Sequence, residues 1–170
     1  MINDQFHLTD KRLFDVSKGL ADGASLIPNV RVELFDSFGN LKDFREVHNL
    51  VTTLGKKMVA DQLLAVATIA KPGWMELGTG SGQTAASSIL AAFIATTRTV
   101  LDSKTRLNAV ITMICTFPAG TPAAPAAITE AGVFNIVTEN TTDLILYADF
   151  AVVNKLAADS LIITWTLTIG

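Results

Sequence analysis

The residues of this chain whose types and spacing most suggest chemistry are Glu76-Leu77-Gly78-Thr79-Gly80-Ser81-Gly82. An acid, an apolar residue and alternate glycines open the strand-to-helix turn of a Rossmann-like cofactor site. There the glycines let the backbone approach a nucleotide, and an acid after the next strand accepts the ribose hydroxyls. Asp102, which closes the run Thr99-Val100-Leu101-Asp102, has the spacing of that second acid. Other reactive groups are scattered. Ser81 lacks the strand-turn-helix setting of a nucleophile elbow and would need His7 or His48 within reach. Glu130 and Glu139 flank a predicted strand and read as ordinary surface carboxylates. Cys115, the single cysteine, lies in the apolar run Val110 to Phe117 and reads as a buried, inert thiol. With both histidines distant in sequence, no metal-ligand spacing is present, and the aspartates lack the dense spacing of a calcium loop.

The elements around the glycine run decide its meaning. A small S-adenosylmethionine-dependent methyltransferase would continue as alternating strands and helices, because parallel strands need crossover connections. After Asp102 the chain offers strand-like runs separated by turns and no second amphipathic helix. The run before the glycines is also short, since Lys71-Pro72-Gly73 leaves only Trp74 and Met75. The glycines therefore read as a loop in which glycine supplies positive φ, and no cofactor is expected.

The remaining pattern is β. In Leu161 to Ile169, Leu161, Ile163, Trp165, Leu167 and Ile169 point one way, and Thr164, Thr166 and Thr168 the other, as in a half-buried strand. Val30, Val32 and Leu34 alternate with Arg31 and Glu33. A turn at Asp36 to Asn40 then leads into a second extended piece through Val47, Asn49 and Val51. Further strands are expected over 96–102, 106–117, 132–137, 143–153 and 160–169, with an exposed, stiff loop at Pro118 to Pro125. One helix is supported, over about 54–70: Thr52 or Thr53 caps it, and Val59, Leu63, Val66 and Ala70 share a face before Pro72-Gly73 ends it. A helical turn or two is a weaker expectation at Ser87 to Ile94. Together these predict a mainly β fold, an antiparallel β-sandwich of jelly-roll type over 29–170, preceded by an irregular arm or strap over 1–28.

Composition narrows the partners. The 170 residues are 49% hydrophobic and only 17% charged, with a net charge of −3. Lys and Arg do not cluster, which argues against nucleic acid. No apolar run reaches the roughly 18 residues of a membrane span, and the first residues lack a secretory pattern. A surface so short of charge fits one partly covered by other protein. Within the arm, Ile2, Phe6, Leu8, Leu13 and Phe14 are too apolar to remain solvated, yet they follow no regular period. They suit either a strap on the chain's own domain or an arm on a neighbour; we expect packing against a neighbouring subunit or lattice.

Several segments, in order, resemble structural proteins of tailed-bacteriophage virions. They are Asn49-Leu50-Val51-Thr52-Thr53-Leu54-Gly55-Lys56 before the helix, Gly78-Thr79-Gly80, Thr97-Arg98, Ile128-Thr129-Glu130-Ala131-Gly132-Val133-Phe134 and the closing strand Ile162 to Ile169. The resemblance covers most of residues 30 to 170 and is weakest over the first 28. It implies a non-enzymatic virion component, made in the host cytoplasm and assembled as a homo-oligomer. Its partner would be the major capsid protein or another virion protein. Capsid cement (decoration) on the head surface is the first expectation, and a tail-fibre or receptor-binding module the second. In the same reading Glu130-Ala131-Gly132 forms a structural corner.

Overall fold

The structure, a computed structural model, describes residues 25–170. They form two five-stranded antiparallel sheets and one short helix. The first sheet has the order β2 (Leu41–His48), β1 (Leu26–Phe35), β10 (Ser160–Ile169), β7 (Val110–Phe117), β6 (Ser103–Leu107). The second has the order β3 (Leu50–Val51), β9 (Leu144–Lys155), β8 (Ala126–Phe134), β4 (Trp74–Gly78), β5 (Thr99–Val100). The expected mainly β, antiparallel two-sheet fold is what the chain adopts. The helix α1 spans Thr53–Asp61.

Alternation builds the first sheet. Val30, Val32 and Leu34 of β1 and Leu161, Ile163, Trp165 and Leu167 of β10 all point into the core, where Met113, Cys115 and Phe117 of β7 join them. Ile128, Val133, Ile145, Leu146 and Val153 meet them from the second sheet. Trp165 lies between Val30 on one side and Met113 on the other, fully buried. Its indole N–H donates to the side-chain oxygen of Asn49, whose amide nitrogen in turn donates to the Pro28 carbonyl at 3.2 Å. Asn49 sits where the chain leaves β2 in one sheet and enters β3 in the other. One polar side chain thus satisfies the buried indole and ties the crossing point to β1.

The turns have local causes. Asp36 accepts from the backbone N–H groups of Phe38 and Asn40, both at 2.9 Å, while Gly39 takes φ 84° and closes the β1–β2 hairpin. At the other end of the first sheet, Ser25 N–H donates to Gly170 O at 2.5 Å and Gly170 N–H to Ser25 O at 2.9 Å. The described domain therefore begins and ends side by side.

Several expectations change. The strand expected over 96–102 shrinks to Thr99–Val100, the one expected over 132–137 is the end of β8, and Leu26 to Pro28, expected in the arm, already belong to β1. The strand expected over 106–117 is a hairpin: Asn108 adopts φ 52° and turns the chain between β6 and β7, so that Leu107 is exposed while Ile111 to Phe117 line the sheet. The helix ends at Asp61, not near residue 70. The Asp61 carboxylate accepts from the N–H groups of Thr68 and Ile69, both at 2.8 Å, and this folds 62–69 into a loop. Val59 packs on the core, but Leu63 and Val66 are 87% and 78% exposed. Ser87 to Ile94 forms no helix; Phe93 instead bridges to Gly78. The start of the helix follows expectation. Thr52 Oγ1 accepts from Gly55 N–H at 3.0 Å while its hydroxyl donates to Leu144 O at 2.7 Å, which pins the cap to β9. The Pro118 to Pro125 loop is largely exposed, as expected, with Pro122 buried.

Candidate functional site

The glycine run lies in the second sheet. Its first glycine, Gly78, is the last residue of β4, which pairs antiparallel with β8 on one side and β5 on the other. A cofactor crevice of the Rossmann type requires parallel strands diverging at their carboxyl ends. That geometry is not present here. Asp102 lies toward the other sheet, its backbone N–H bonded to Ile114 O of β7 at 2.8 Å.

What fills the space above the glycines is Glu130 of β8, paired directly with Gly78 and fully buried. Its Oε1 accepts from the N–H groups of Gly80 at 3.0 Å and Ala92 at 2.7 Å, and its Oε2 from Ala91 N–H at 3.1 Å. Thr129 adds a hydroxyl bond to Gly80 O at 2.7 Å. The carboxylate is thereby spent on three backbone donors that would otherwise be orphaned. Glu130, expected at the surface, is the internal clasp of two loops. The glycines are needed for closeness more than for φ. A Cβ on Gly80 would lie 2.5 Å from the Ala91 methyl and 2.7 Å from Glu130 Oε1, and one on Gly78 would lie 2.7 Å from Ala92 O. Only Gly82 of the three has positive φ, 77°. Gly132 likewise marks close packing within β8 and not a corner: its Cβ would meet Leu144 and the Phe134 ring.

The same packing bears on ligands. A pyrophosphate or ribose at this loop would have to displace Glu130 from its three donors, leaving buried N–H groups unpaired. Calorimetric titration with S-adenosylmethionine should accordingly show no saturable heat. Micromolar binding would overturn this account of the loop.

A second polar cluster surrounds Arg98. Its guanidinium donates to Glu76 Oε2 at 3.0 Å, to Asp143 Oδ2 at 3.2 Å and to Ile136 O at 2.8 Å, and lies 3.5 Å from the centre of the Phe134 ring. Its backbone N–H donates to Glu139 Oε1 at 3.1 Å. The Arg98 and Glu76 side chains are each 2% exposed and Asp143 is 3% exposed. Burial raises the Glu76 carboxyl above the usual range against the pull of Arg98. Glu76 Oε1 and Arg98 Nε have no partner among the described residues. The cluster binds β4, the strand entering β5 and the β8–β9 connection into one unit. The sequence shows Glu76 as the acid of a run that only looks like a cofactor motif; in the structure its carboxylate neutralises Arg98.

The remaining candidates are dispersed. Cys115 is fully buried in β7, and burial, followed by the charge of Asp102, pushes its thiol up to about 12, as expected of an inert core thiol. Ser81 and His48 are exposed on different elements. His7 and the expected interface residues Ile2, Phe6, Leu8, Leu13 and Phe14 lie outside the described residues. Among the described residues no group of three or more His, Cys, Asp or Glu is arranged for a metal, and no helix is long and apolar enough to cross a membrane.

No family model, curated protein or solved structure matches this chain. Two adjoining cavities of about 740 and 530 Å³ open between α1 and the ends of the sheets, sharing Val51, Val59, Leu63 and Ile169 as walls. Beside them the loop after α1 presents Leu63, Leu64 and Val66 to solvent. Periodicity could not find this surface, because the same residues read as the buried face of a longer helix.

Proposed function

We propose that the chain is a non-enzymatic structural protein of a tailed-phage virion, a capsid cement protein that binds across capsomer boundaries on the head surface as a homo-oligomer. One observation carries the reading. The acidic and basic groups gathered at Glu130 and Arg98 are consumed in holding the sandwich together, while exposed apolar side chains remain on several parts of the surface, among them Leu63, Leu64 and Val66 after α1, Phe38 and Leu41 at the β1–β2 hairpin, and Leu107 between β6 and β7. Such a body has a rigid frame and apolar side chains left free for contact with other protein. The ordered resemblance of residues 30 to 170 to virion proteins points the same way. Many copies, each adding a modest interface, stiffen a shell through multivalency.

The test is the copy number in purified particles of the encoding phage. A cement protein is expected in hundreds of copies on the head, and heads lacking it should lose their genome at lower temperature. A handful of copies located on the tail would favour a fibre or receptor-binding module instead. Absence from particles would sink both readings.

A further inference from the structure

The cavity of about 530 Å³ lies between the sheets beside β6, the outer strand of the first sheet among the described residues. Residues directly opposite each other in an antiparallel pair carry their side chains on the same face. Lys104 is opposite Met113, and Arg106 is opposite Ile111. Met113 and Ile111 face the core, so Lys104 and Arg106 leave β6 on the core side. Two apolar rows thus cross the first sheet, Trp165 to Met113 and Leu167 to Ile111, and each ends on β6 in a positive charge. Met58 of α1 and Ile145 and Leu146 of β9 complete the apolar wall, while Lys71, Lys104 and Arg106, all exposed, line the mouth.

The mouth lacks a counter-charge. Among the described residues none of its three cations pairs with a carboxylate. Lys104 Nζ donates to Pro72 O at 2.6 Å and Arg106 to Asn108 O at 2.8 Å. Burial, and then the charge of Lys71, hold the Lys104 ammonium below the usual lysine value. The cavity volume falls in the range of small-molecule sites, roughly 300–1,000 Å³. A ligand that complements both parts has one anionic end and an apolar body. A peptide fits less well, because the side chains of Met58, Met113, Ile145 and Leu146 offer its amides no hydrogen-bond partner. An alkyl chain has no such groups to satisfy.

We propose that this cavity binds a free alkyl carboxylate, its chain against Met58, Met113 and Leu146 and its carboxylate among Lys71, Lys104 and Arg106. The inference goes beyond the virion reading and does not rest on it.

Calorimetric titration of the full-length protein with dodecanoate, below its micelle concentration, tests the site. A single saturating site per chain is expected. Affinity should rise about fourfold for each methylene added between octanoate and dodecanoate, the increment of a buried CH₂. The trimethylammonium compound of the same chain length should bind about tenfold more weakly or not at all, because it meets cations at the mouth. Dodecanoate should lose a similar factor against a Lys71→Glu/Lys104→Glu variant whose fold is checked by circular dichroism. Should that variant not fold, the chain-length series and the head-group comparison on the unaltered protein decide the matter. Methyl-labelled methionine spectra locate the ligand: the Met58 and Met113 signals should move, and that of Met75, which is buried in β4 and does not line the cavity, should not. Absence of saturable binding overturns the proposal and leaves Lys104 and Arg106 as inward charges guarding the β6 edge. Equal binding of the two head groups, or full affinity in the charge-reversed variant, overturns it too, since the mouth then selects nothing. Binding that moves Met75 alone places the ligand elsewhere and has the same force. Because isolated protein is used, the copy number in phage particles can fail the cement reading and leave this result standing.

Discussion

Replacing Arg98 by methionine should destabilise the fold by about 3–5 kcal/mol, because it leaves the carboxylates of Glu76 and Asp143 buried without their cation. The long apolar side chain keeps part of the contact with the Phe134 ring, so the loss is mainly electrostatic. At about 2–4 °C per kcal/mol for a domain of this size, thermal unfolding should move down by roughly 6–20 °C. The combined variant Arg98→Met, Glu76→Gln, Asp143→Asn separates charge from packing. It should recover much of the loss, since a neutral cluster of similar volume carries no uncompensated charge. An Arg98→Met protein that melts with the parent would mean that the cluster is hydrated and that the burial described for it is wrong.

Trp165→Ala should cost a similar amount, about 3–5 kcal/mol, for a different reason. The indole is fully buried between β1 and β7, and its removal leaves a cavity facing Val30 and Met113 and deprives Asn49 of its donor. Urea denaturation followed by circular dichroism measures the loss; a midpoint close to that of the parent would contradict the packing. Trp165→Phe should lose less, because it restores most of the volume and leaves only the Asn49 oxygen unpaired.

Trp165 was legible in the sequence because β10 alternates without interruption and its neighbours in the sheet do the same. β-period patterning reports which face is buried whenever one face is wet. It fails where the chain turns inside an apolar run. Leu107, Ala109 and Ile111 continue the alternation through Asn108, and only the tolerance of asparagine for positive φ marks the hairpin. Helix length failed for a related reason. Leu63 and Val66 have the spacing of a buried stripe, but hydrogen bonds from Thr68 and Ile69 to Asp61 compete with further turns of helix, and side-chain competition of this kind leaves no periodic trace.

The polar centres were less legible than the sheets. Glu130 and Arg98 are buried through contacts 38 to 50 residues away on one side and 22 to 45 on the other, distances at which a single sequence shows no pairing. The glycine run reads from sequence as a loop needing positive φ, which holds for Gly82, while Gly78 and Gly80 are glycine because backbone and side chains approach closely. Alternate glycines signal close approach of backbone, and sequence cannot say whether the approaching group is a cofactor phosphate or, as at Gly78 and Gly80, the protein's own carboxylate and a neighbouring loop.

The pairing of Ser25 with Gly170 has a mechanical consequence. The two residues continue the antiparallel ladder of β1 and β10, in which hydrogen bonds lie across the strands. Tension applied between these two points acts along those bonds and loads them one pair at a time, like a zipper pulled from its open end. The described domain is therefore soft to traction between Ser25 and Gly170 and stiff to force spread across its faces. An attachment meant to bear load gains little by pulling at Ser25 and Gly170 and much by gripping the sheets broadside.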